Sequence, residues 1–268
     1  MMDKQNEFSK KAWDANAELW DSRMGTEGND FFKILQFPTI LDYLEVGKKG
    51  LQGTHILDVA CGNGILARKL AGLGASVTAF DFSEKLITLA RKYNNENIHY
   101  LHLDATSEDD LASLPTNKFS AVVCNMALFD ISNIEPLFKV LPSLLLPGGT
   151  FIFSLLHPAF NNSSTIKMVE EYEEEGVLKN KFSLKIDKYL TEYAAKGSAI
   201  GGQKKPQYYF NRPISKYLNL GFANGFILDR FDENAFPQAD SIRPLSWGGN
   251  FHEIPPVLLV RMRLLPST

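Results

Sequence analysis

The chain has 268 residues, of which 44% are hydrophobic and 22% charged, with a net charge of −3, as expected for one large α/β domain. That charge argues against a protein that grips a nucleic-acid backbone, and no apolar run approaches the ~20 residues needed to span a membrane. Two distant cysteines, Cys61 and Cys124, argue against a disulfide framework, and the polar start lacks a signal-peptide core; we therefore expect a cytoplasmic protein.

The first 150 residues contain the most regular patterns. Apolar residues at helical spacing predict a helix over 8–19 and a second over about 31–46, interrupted near Pro38. Short apolar runs then alternate with helical patterns. The predicted strands are 54–60, 75–81, 98–103, 119–125 and 150–156. This alternation is typical of parallel crossovers and predicts an α/β fold with a doubly wound sheet.

The alternation stops after the fifth predicted strand. Residues 157–211 are polar and rich in Lys, Glu, Tyr and Gly, with too few apolar side chains for a core of their own. We interpret them as an insertion that covers the substrate. A helix over 213–224 and strands over 226–231 and 256–265 follow. The predicted organisation is a single domain over 1–268, made of a helical cap (1–50), a cofactor-binding core (51–156), the insertion (157–211) and the last helix and strands (212–268).

A glycine-containing loop follows the first strand, in the segment Ile56–Gly64 (ILDVACGNG). Gly62 and Gly64 allow a ligand close to the backbone, and an acid, Asp81, follows roughly 20 residues on, so the segment also fits the dinucleotide fingerprint. Asp58 at the lip of the loop would repel a pyrophosphate. The same carboxylate attracts the sulfonium and ammonium of S-adenosylmethionine. The sign of the charge therefore favours the methyl donor over NAD.

This segment resembles the first motif of the class I S-adenosylmethionine-dependent methyltransferases, usually D-x-x-x-G-x-G. LLLPGGTFIFS at 144–154 is similar to the family's helix, turn and fifth strand, and 212–226 is similar to a segment of its small-molecule members. The resemblance covers about residues 50–157 and, less closely, the last fifty. It implies a Rossmann-like, seven-stranded sheet, mostly parallel with one antiparallel edge strand, and methyl transfer to a small molecule.

The resemblance also implies roles for single residues. Asp81 matches the acid that binds both ribose hydroxyls, Asp104 the acid that meets the adenine amino group, and Trp20 an aromatic residue over the donor. The expected cofactor-binding residues are Trp20, Asp58, Ala60, Cys61, Gly62, Asn63, Gly64, Asp81, Phe82, Asp104, Ala105, Asn125 and Met126.

Catalytic and acceptor-binding residues are harder to predict. His157 lies just past strand five, where it could act as a general base or simply finish the strand with a hydrogen bond. Tyr208, Tyr209 and Arg212 form an aromatic and cationic cluster that could line a substrate pocket or cover the sheet edge. No histidine spacing predicts a metal site. The acceptor, the atom that is methylated and the oligomeric state stay open.

Three alternatives also stay open. A methyltransferase for RNA or protein would need a basic, open face, and the candidates are Lys204–Lys205, Arg261 and Arg263. An NAD-linked oxidoreductase would leave Asp58 unexplained. A non-catalytic protein that binds S-adenosylmethionine would carry the same motif.

Overall fold

The five apolar runs form parallel strands of one sheet in the computed structural model, which describes residues 2–93, 95–239 and 245–266. The strands are β1 (His55–Val59), β2 (Ser76–Asp81), β3 (Ile98–His102), β4 (Phe119–Asn125) and β5 (Leu145–Leu156). In β1 and β2 every residue after the first is buried, because both faces of the sheet are covered.

The polar region 157–211 contains two β-hairpins that form separate two-stranded sheets. One pairs β6 (Ile166–Glu174) with β7 (Val177–Lys185), and the other pairs β8 (Tyr193–Gly197) with β9 (Gln207–Asn211). No residue of β6 or β7 is fully buried, so these strands lack the apolar alternation by which a half-buried strand is recognised.

Two C-terminal strands complete the central sheet, β10 (Phe226–Asn234) and β11 (Val257–Leu264). The sheet has seven strands in the order β10-β11-β5-β4-β1-β2-β3. β11 runs antiparallel to both of its neighbours, β5 and β10. The predicted seven-stranded, mostly parallel, Rossmann-like sheet is thereby confirmed, with its antiparallel strand next to the edge strand β10.

Helices cover both faces of the sheet. α1 (Met2–Met24) is longer than predicted, and a π-helical segment, Phe31–Gln36, leads directly into α2 (Phe37–Tyr43). Pro38 sits in the first turn of α2, where a proline is tolerated, so the predicted interruption is a change of helix type. The remaining helices are α3 (Ile65–Gly72), α4 (Glu84–Arg91), α5 (Glu108–Ala112), α6 (Glu135–Leu144) and α7 (Ile214–Ala223).

The core is divided by the sheet. Ile56 and Leu57 are neighbours in β1 and both fully buried, but they point to opposite faces. Leu57 packs in the cluster that contains Phe138 of α6 and Tyr217 of α7, whereas Ile56 packs in the cluster of α2 and α3. The helices in the described ranges include none long and apolar enough to cross a bilayer. Packing on both faces fixes the carboxyl ends of β1, β2 and β4 at one edge.

Candidate cofactor and acceptor cavity

A cavity of about 500 Å³ lies at the carboxyl ends of the parallel strands. Open α/β sheets bind their ligands at this edge. Its lining includes the loop after β1, the ends of β2 to β4, helix α1, the π-helical segment and the insertion. Of the residues predicted to bind the cofactor, the structure brings twelve of thirteen to the lining; Gly64 is the one that does not line it.

The loop after β1 depends on left-handed backbone conformations. Gly62 and Gly64 have φ of +57° and +75°, and Ala60 adopts +53° although it is not a glycine. A Cβ on Gly64 would lie 2.3 Å from the Tyr100 hydroxyl oxygen, so a glycine is required there. Gly64 therefore fixes the conformation of the loop without lining the cavity. A Cβ on Gly62 would lie 3.4 Å from the Trp20 indole nitrogen.

Asp58 is a buried carboxyl group of this loop with one oxygen left unpaired within the described residues. Its side chain is 1% exposed, and Oδ2 has no hydrogen-bond partner among the described residues. Burial raises the pKa of Asp58 to about 8, the nearby Asp81 adds to the rise, and a hydrogen bond from the Ala67 backbone opposes it. Asn63 Oδ1 is also buried without a partner in the described part of the chain. The loop therefore presents unused acceptor atoms.

Asp81, at the end of β2, holds the loop in place. Its Oδ2 accepts a hydrogen bond from the Gly62 amide at 2.9 Å, and its Oδ1 accepts one from the Ser83 amide at 2.9 Å. Burial raises the pKa of Asp81 to about 6, against the lowering effect of these two amides. Each carboxylate oxygen has two acceptor sites, so each keeps one for a ligand.

Asp104 follows β3 and is fixed by its own turn and by α1. Oδ1 accepts hydrogen bonds from the Thr106 amide and hydroxyl, both at 2.8 Å, and Oδ2 accepts one from Asn6 Nδ2 at 2.7 Å. Asn6 lines the cavity, and the sequence reasoning missed it because a single asparagine in a helix carries no recognisable signal.

The end of β4 forms the floor beside the loop. Asn125 Nδ2 donates to Gln36 Oε1 at 3.1 Å, and Asn125 Oδ1 accepts from the Ser154 hydroxyl at 2.7 Å. Met126 has a φ of +53°, and its amide donates to the Ser154 carbonyl at 3.1 Å. These bonds fix the backbone where the cavity passes from the loop towards the insertion.

Helix α1 joins the two sides of the cavity. Asn6 reaches Asp104 on the sheet side, and the buried Asn16 donates through Nδ2 to the Lys205 carbonyl of the insertion at 2.6 Å. Trp20 packs edge-to-face on Trp13, with ring centroids 5.2 Å apart, and its indole nitrogen lies 3.4 Å from an ideal Cβ on Gly62. Trp20 therefore stands over the glycine loop, where the resemblance implied an aromatic residue.

His157 is turned away from the cavity. It is 1% exposed and does not belong to the lining. Its Nδ1 accepts from the Ala159 and Phe160 amides, both at 3.2 Å, which leaves the ring proton on Nε2, 2.8 Å from Glu233 Oε1. Burial lowers the pKa of His157, although Glu233 opposes this. The catalytic role predicted for His157 finds no support in this geometry, which matches the simpler alternative of a hydrogen-bonded strand end.

The three residues of the predicted acceptor-binding cluster differ in whether they line the cavity and in whether their polar groups are free. Tyr209 lines the cavity. Arg212 also lines it, but its guanidinium donates to the carbonyls of Leu128, Ile131 and Ser132 at 2.7–3.1 Å. Tyr208 is outside the lining and packs edge-to-face on Phe8. Its predicted contact with the acceptor is not supported.

Asp130 and Tyr193 are among the lining residues that were not predicted. Both line the cavity, and each has a buried side-chain oxygen without a hydrogen-bond partner among the described residues, Asp130 Oδ1 and the Tyr193 hydroxyl. A lone acid after the apolar run of β4 could have indicated Asp130. Within the described ranges, no cluster of three His, Cys, Asp or Glu side chains could hold a metal ion.

Comparison with known proteins gives a consistent family. Residues 57–153 match a family model described as a methyltransferase domain. A ubiquinone biosynthesis O-methyltransferase from Xanthomonas campestris pv. campestris is 36% identical over 120 residues, which are 45% of this chain and 50% of that protein. The chain thus matches about half the length of this relative.

Solved structures extend the likeness over most of the chain. An S-adenosylmethionine-dependent methyltransferase from Mesorhizobium loti has a TM-score of 0.62 and 26% identity, covering 83% of this chain and 95% of its own. A second structure, described as a putative enzyme of the same kind from Listeria monocytogenes, has a TM-score of 0.60 and 21% identity. It covers 85% of this chain and 97% of its own, and it supports the fold. Residues 57–153 therefore match a methyltransferase domain, and with its sheet and its glycine loop the chain is similar to the class I S-adenosylmethionine-dependent methyltransferases.

Proposed function

We propose that this protein is an S-adenosylmethionine-dependent methyltransferase that transfers a methyl group to a small-molecule acceptor. The observation that carries the proposal is the buried Asp58 carboxyl group, which lines the cavity and whose Oδ2 lacks a hydrogen-bond partner in the described chain. A buried carboxylate is costly unless a cation or donor accompanies it. A cationic ligand in the cavity would supply the missing partner of Asp58.

The residues present fit S-adenosylmethionine. Asp58 and Asn63 would face its positively charged amino-acid end, and the free acceptor sites of Asp81 would take the ribose hydroxyls. Asp104 Oδ2 accepts one bond from Asn6 and keeps a second site for the adenine amino group. When bound, the cofactor supplies an electrophilic methyl group.

The chain's own contribution is then positioning. Asn125 and Met126 are held by Ser154 at the passage between the two halves of the cavity. Holding an acceptor in line with a reactive carbon contributes about 7–11 kcal/mol in well-oriented systems. Residues of helix α1 and of the insertion line the site.

The alternatives have less support. A pyrophosphate offers no hydrogen-bond donor to Asp58 Oδ2 and is repelled by the ionised form of this carboxyl group, which disfavours a dinucleotide. Arg261, named as part of a possible basic face, is 3% exposed on its side chain and forms ion pairs with Glu45 and Asp229, both at 2.8 Å. Arg263 also pairs with Asp229 at 2.8 Å. These arginines do not build the open basic face that an RNA acceptor would need.

We also propose a cytoplasmic location. Cys61 and Cys124 are free, buried thiols, which suits a reducing compartment.

Thermal unfolding with S-adenosylmethionine, S-adenosylhomocysteine and NAD in parallel tests the function. A ligand at about 100 times its Kd adds about 2.7 kcal/mol, or a shift of roughly 5–11 °C for a domain of this size. Both S-adenosyl compounds should stabilise the protein and NAD should not. Asp81→Ala should abolish the shift, while the exposed Asp109→Ala keeps it. Stabilisation by NAD alone contradicts the proposal; S-adenosyl binding without turnover across an acceptor panel contradicts the enzymatic part.

A further inference from the structure

Asp130 is a half-buried acid that the cofactor site does not use. It follows β4 and lines the cavity, and its Oδ1 is buried with no hydrogen-bond partner among the described residues. Burial first, and the like charge of Asp81 second, hold its pKa well above the usual range. Proteins normally pair a buried carboxylate with a cation or with hydrogen-bond donors.

The cations of the cavity wall do not serve this purpose. The Arg212 guanidinium donates to three backbone carbonyls, and its ion-pair partner is Glu192, at 3.9 Å. The Lys188 ammonium lies 5.7 Å from the centroid of the Tyr193 ring. Within the described ranges, neither forms an ion pair with Asp130 inside 4.0 Å. The described chain therefore leaves Asp130 Oδ1 without a partner, and a bound ligand could supply one.

The position of Asp130 indicates whether the cofactor or the methyl acceptor would contact it. Its segment is tied to the insertion: the Phe210 amide donates to the Phe129 carbonyl at 2.7 Å, and Arg212 binds the carbonyls of Leu128 and Ile131. Asp58, Asp81 and Asp104 instead follow β1, β2 and β3, on the cofactor side. Asp130 thus belongs to the acceptor side of the cavity.

Aromatic side chains line the same cavity as this acid: Phe129 precedes it in the chain, and burial first and the Asp130 charge second raise the pKa of Tyr209. Phe129 and Tyr209 pack edge-to-face with centroids 5.5 Å apart, and the buried Tyr193 hydroxyl has no partner in the described chain. The faces of aromatic rings attract cations, and a carboxylate beside them adds a full opposite charge. A carboxyl group among tyrosine and phenylalanine rings is a suitable environment for a protonated amine.

We propose that the methyl acceptor carries a basic amine nitrogen, which binds to Asp130 between the rings of Phe129, Tyr193 and Tyr209. The proposal rests on the methyltransferase function given above and assigns the class of its substrate. Asp130 recognises the amine whichever atom of the acceptor receives the methyl group.

Matched pairs of small aromatic amines and alcohols test this, beginning with 2-phenylethylamine and 2-phenylethanol and continuing through larger ring systems. Binding is measured by calorimetry to the full chain, with and without saturating S-adenosylhomocysteine. We expect amines to bind about tenfold or more tightly than their alcohol partners, because a hydrogen bond to a charged group discriminates strongly.

Two neutral variants, Asp130→Asn and the smaller Asp130→Ser, should lose this preference and keep the affinity for S-adenosylhomocysteine within about twofold. Asp109→Asn removes the same charge from an exposed position and should keep the preference. The proposal is overturned if amines and alcohols bind equally, if the panel yields no amine-dependent binding, or if the preference survives in both Asp130 variants. Failure of the wild type to bind S-adenosylhomocysteine would instead refute the methyltransferase function, which separates the two results.

Discussion

Replacing Asp58 with asparagine should stabilise the ligand-free protein at high pH while removing its response to the cofactor. Asp58 is 1% exposed, and its pKa is raised from 3.8 to about 8. In the unfolded chain the same group ionises near 4. Between these values the folded state binds the proton more tightly, so the stability of the wild type falls as the pH rises.

The size of this change in the free energy of unfolding follows from the two pKa values of Asp58, about 4 unfolded and about 8 folded. A change from pH 5 to pH 8 crosses roughly three pKa units, which at about 1.4 kcal/mol per unit gives an upper bound of about 4 kcal/mol. Water entering the cavity reduces this figure, so we expect a difference of about 2–3 kcal/mol. An asparagine side chain has no proton to lose, so the Asp58→Asn variant should lack this part of the pH dependence.

Urea unfolding of the wild type and Asp58→Asn at pH 5, 6, 7 and 8 measures the effect without ligand. The variant should become progressively more stable than the wild type as the pH rises, and it should lose the thermal shift with S-adenosylmethionine. Asp109→Asn, an exposed control, should follow the wild type. If the free energy of unfolding depends on pH in the same way for the wild type and Asp58→Asn, the inference that this carboxyl group is buried without a partner is wrong.

Two further predictions concern the loop and the strand end. Gly64→Ala should be about 1–3 kcal/mol more destabilising than Gly25→Ala in urea unfolding. Both glycines have positive φ, but a Cβ at Gly64 would meet Tyr100, whereas a Cβ at Gly25 would meet nothing within 4 Å. Equal losses of stability in the two variants would contradict the steric argument. His157→Gln should cost about 1–3 kcal/mol of stability without changing affinity for S-adenosylhomocysteine. Because burial lowers the pKa of His157 below 6.5, the wild type should lose the contribution of this residue as the pH falls through that value, and the variant should not; altered cofactor affinity in the variant would argue against a purely structural role.

The central sheet could be predicted because its strands are buried on both faces. Segments such as Ile56–Val59 have a nearly continuous apolar sequence, and that pattern specifies a parallel strand. The hairpin of β6 and β7 could not be predicted. Its residues are exposed or half-buried, so backbone pairing rather than an apolar face holds it together, and pairing leaves little trace in composition.

The cofactor half of the site was predictable for a related reason. Gly62, Asp58 and Asp81 lie at or just past the ends of buried strands, so predicting the strands also places them. Side chains whose direction depends on distant partners were not predictable. His157 lies at the expected edge, yet Glu233, 76 positions further along the chain, draws its ring away from the cavity.

The bonds of helix α1 have a consequence for the order of binding. Asn6 holds the turn beside the proposed adenine position, and Asn16 holds the insertion that lines the acceptor side. A displacement of α1 that lets the nucleoside leave would also loosen the acceptor wall. The two ligands would then enter in a compulsory sequence, cofactor first, and the demethylated cofactor would be the last product released. Steady-state kinetics should show inhibition by S-adenosylhomocysteine that is competitive with the cofactor and noncompetitive with the acceptor.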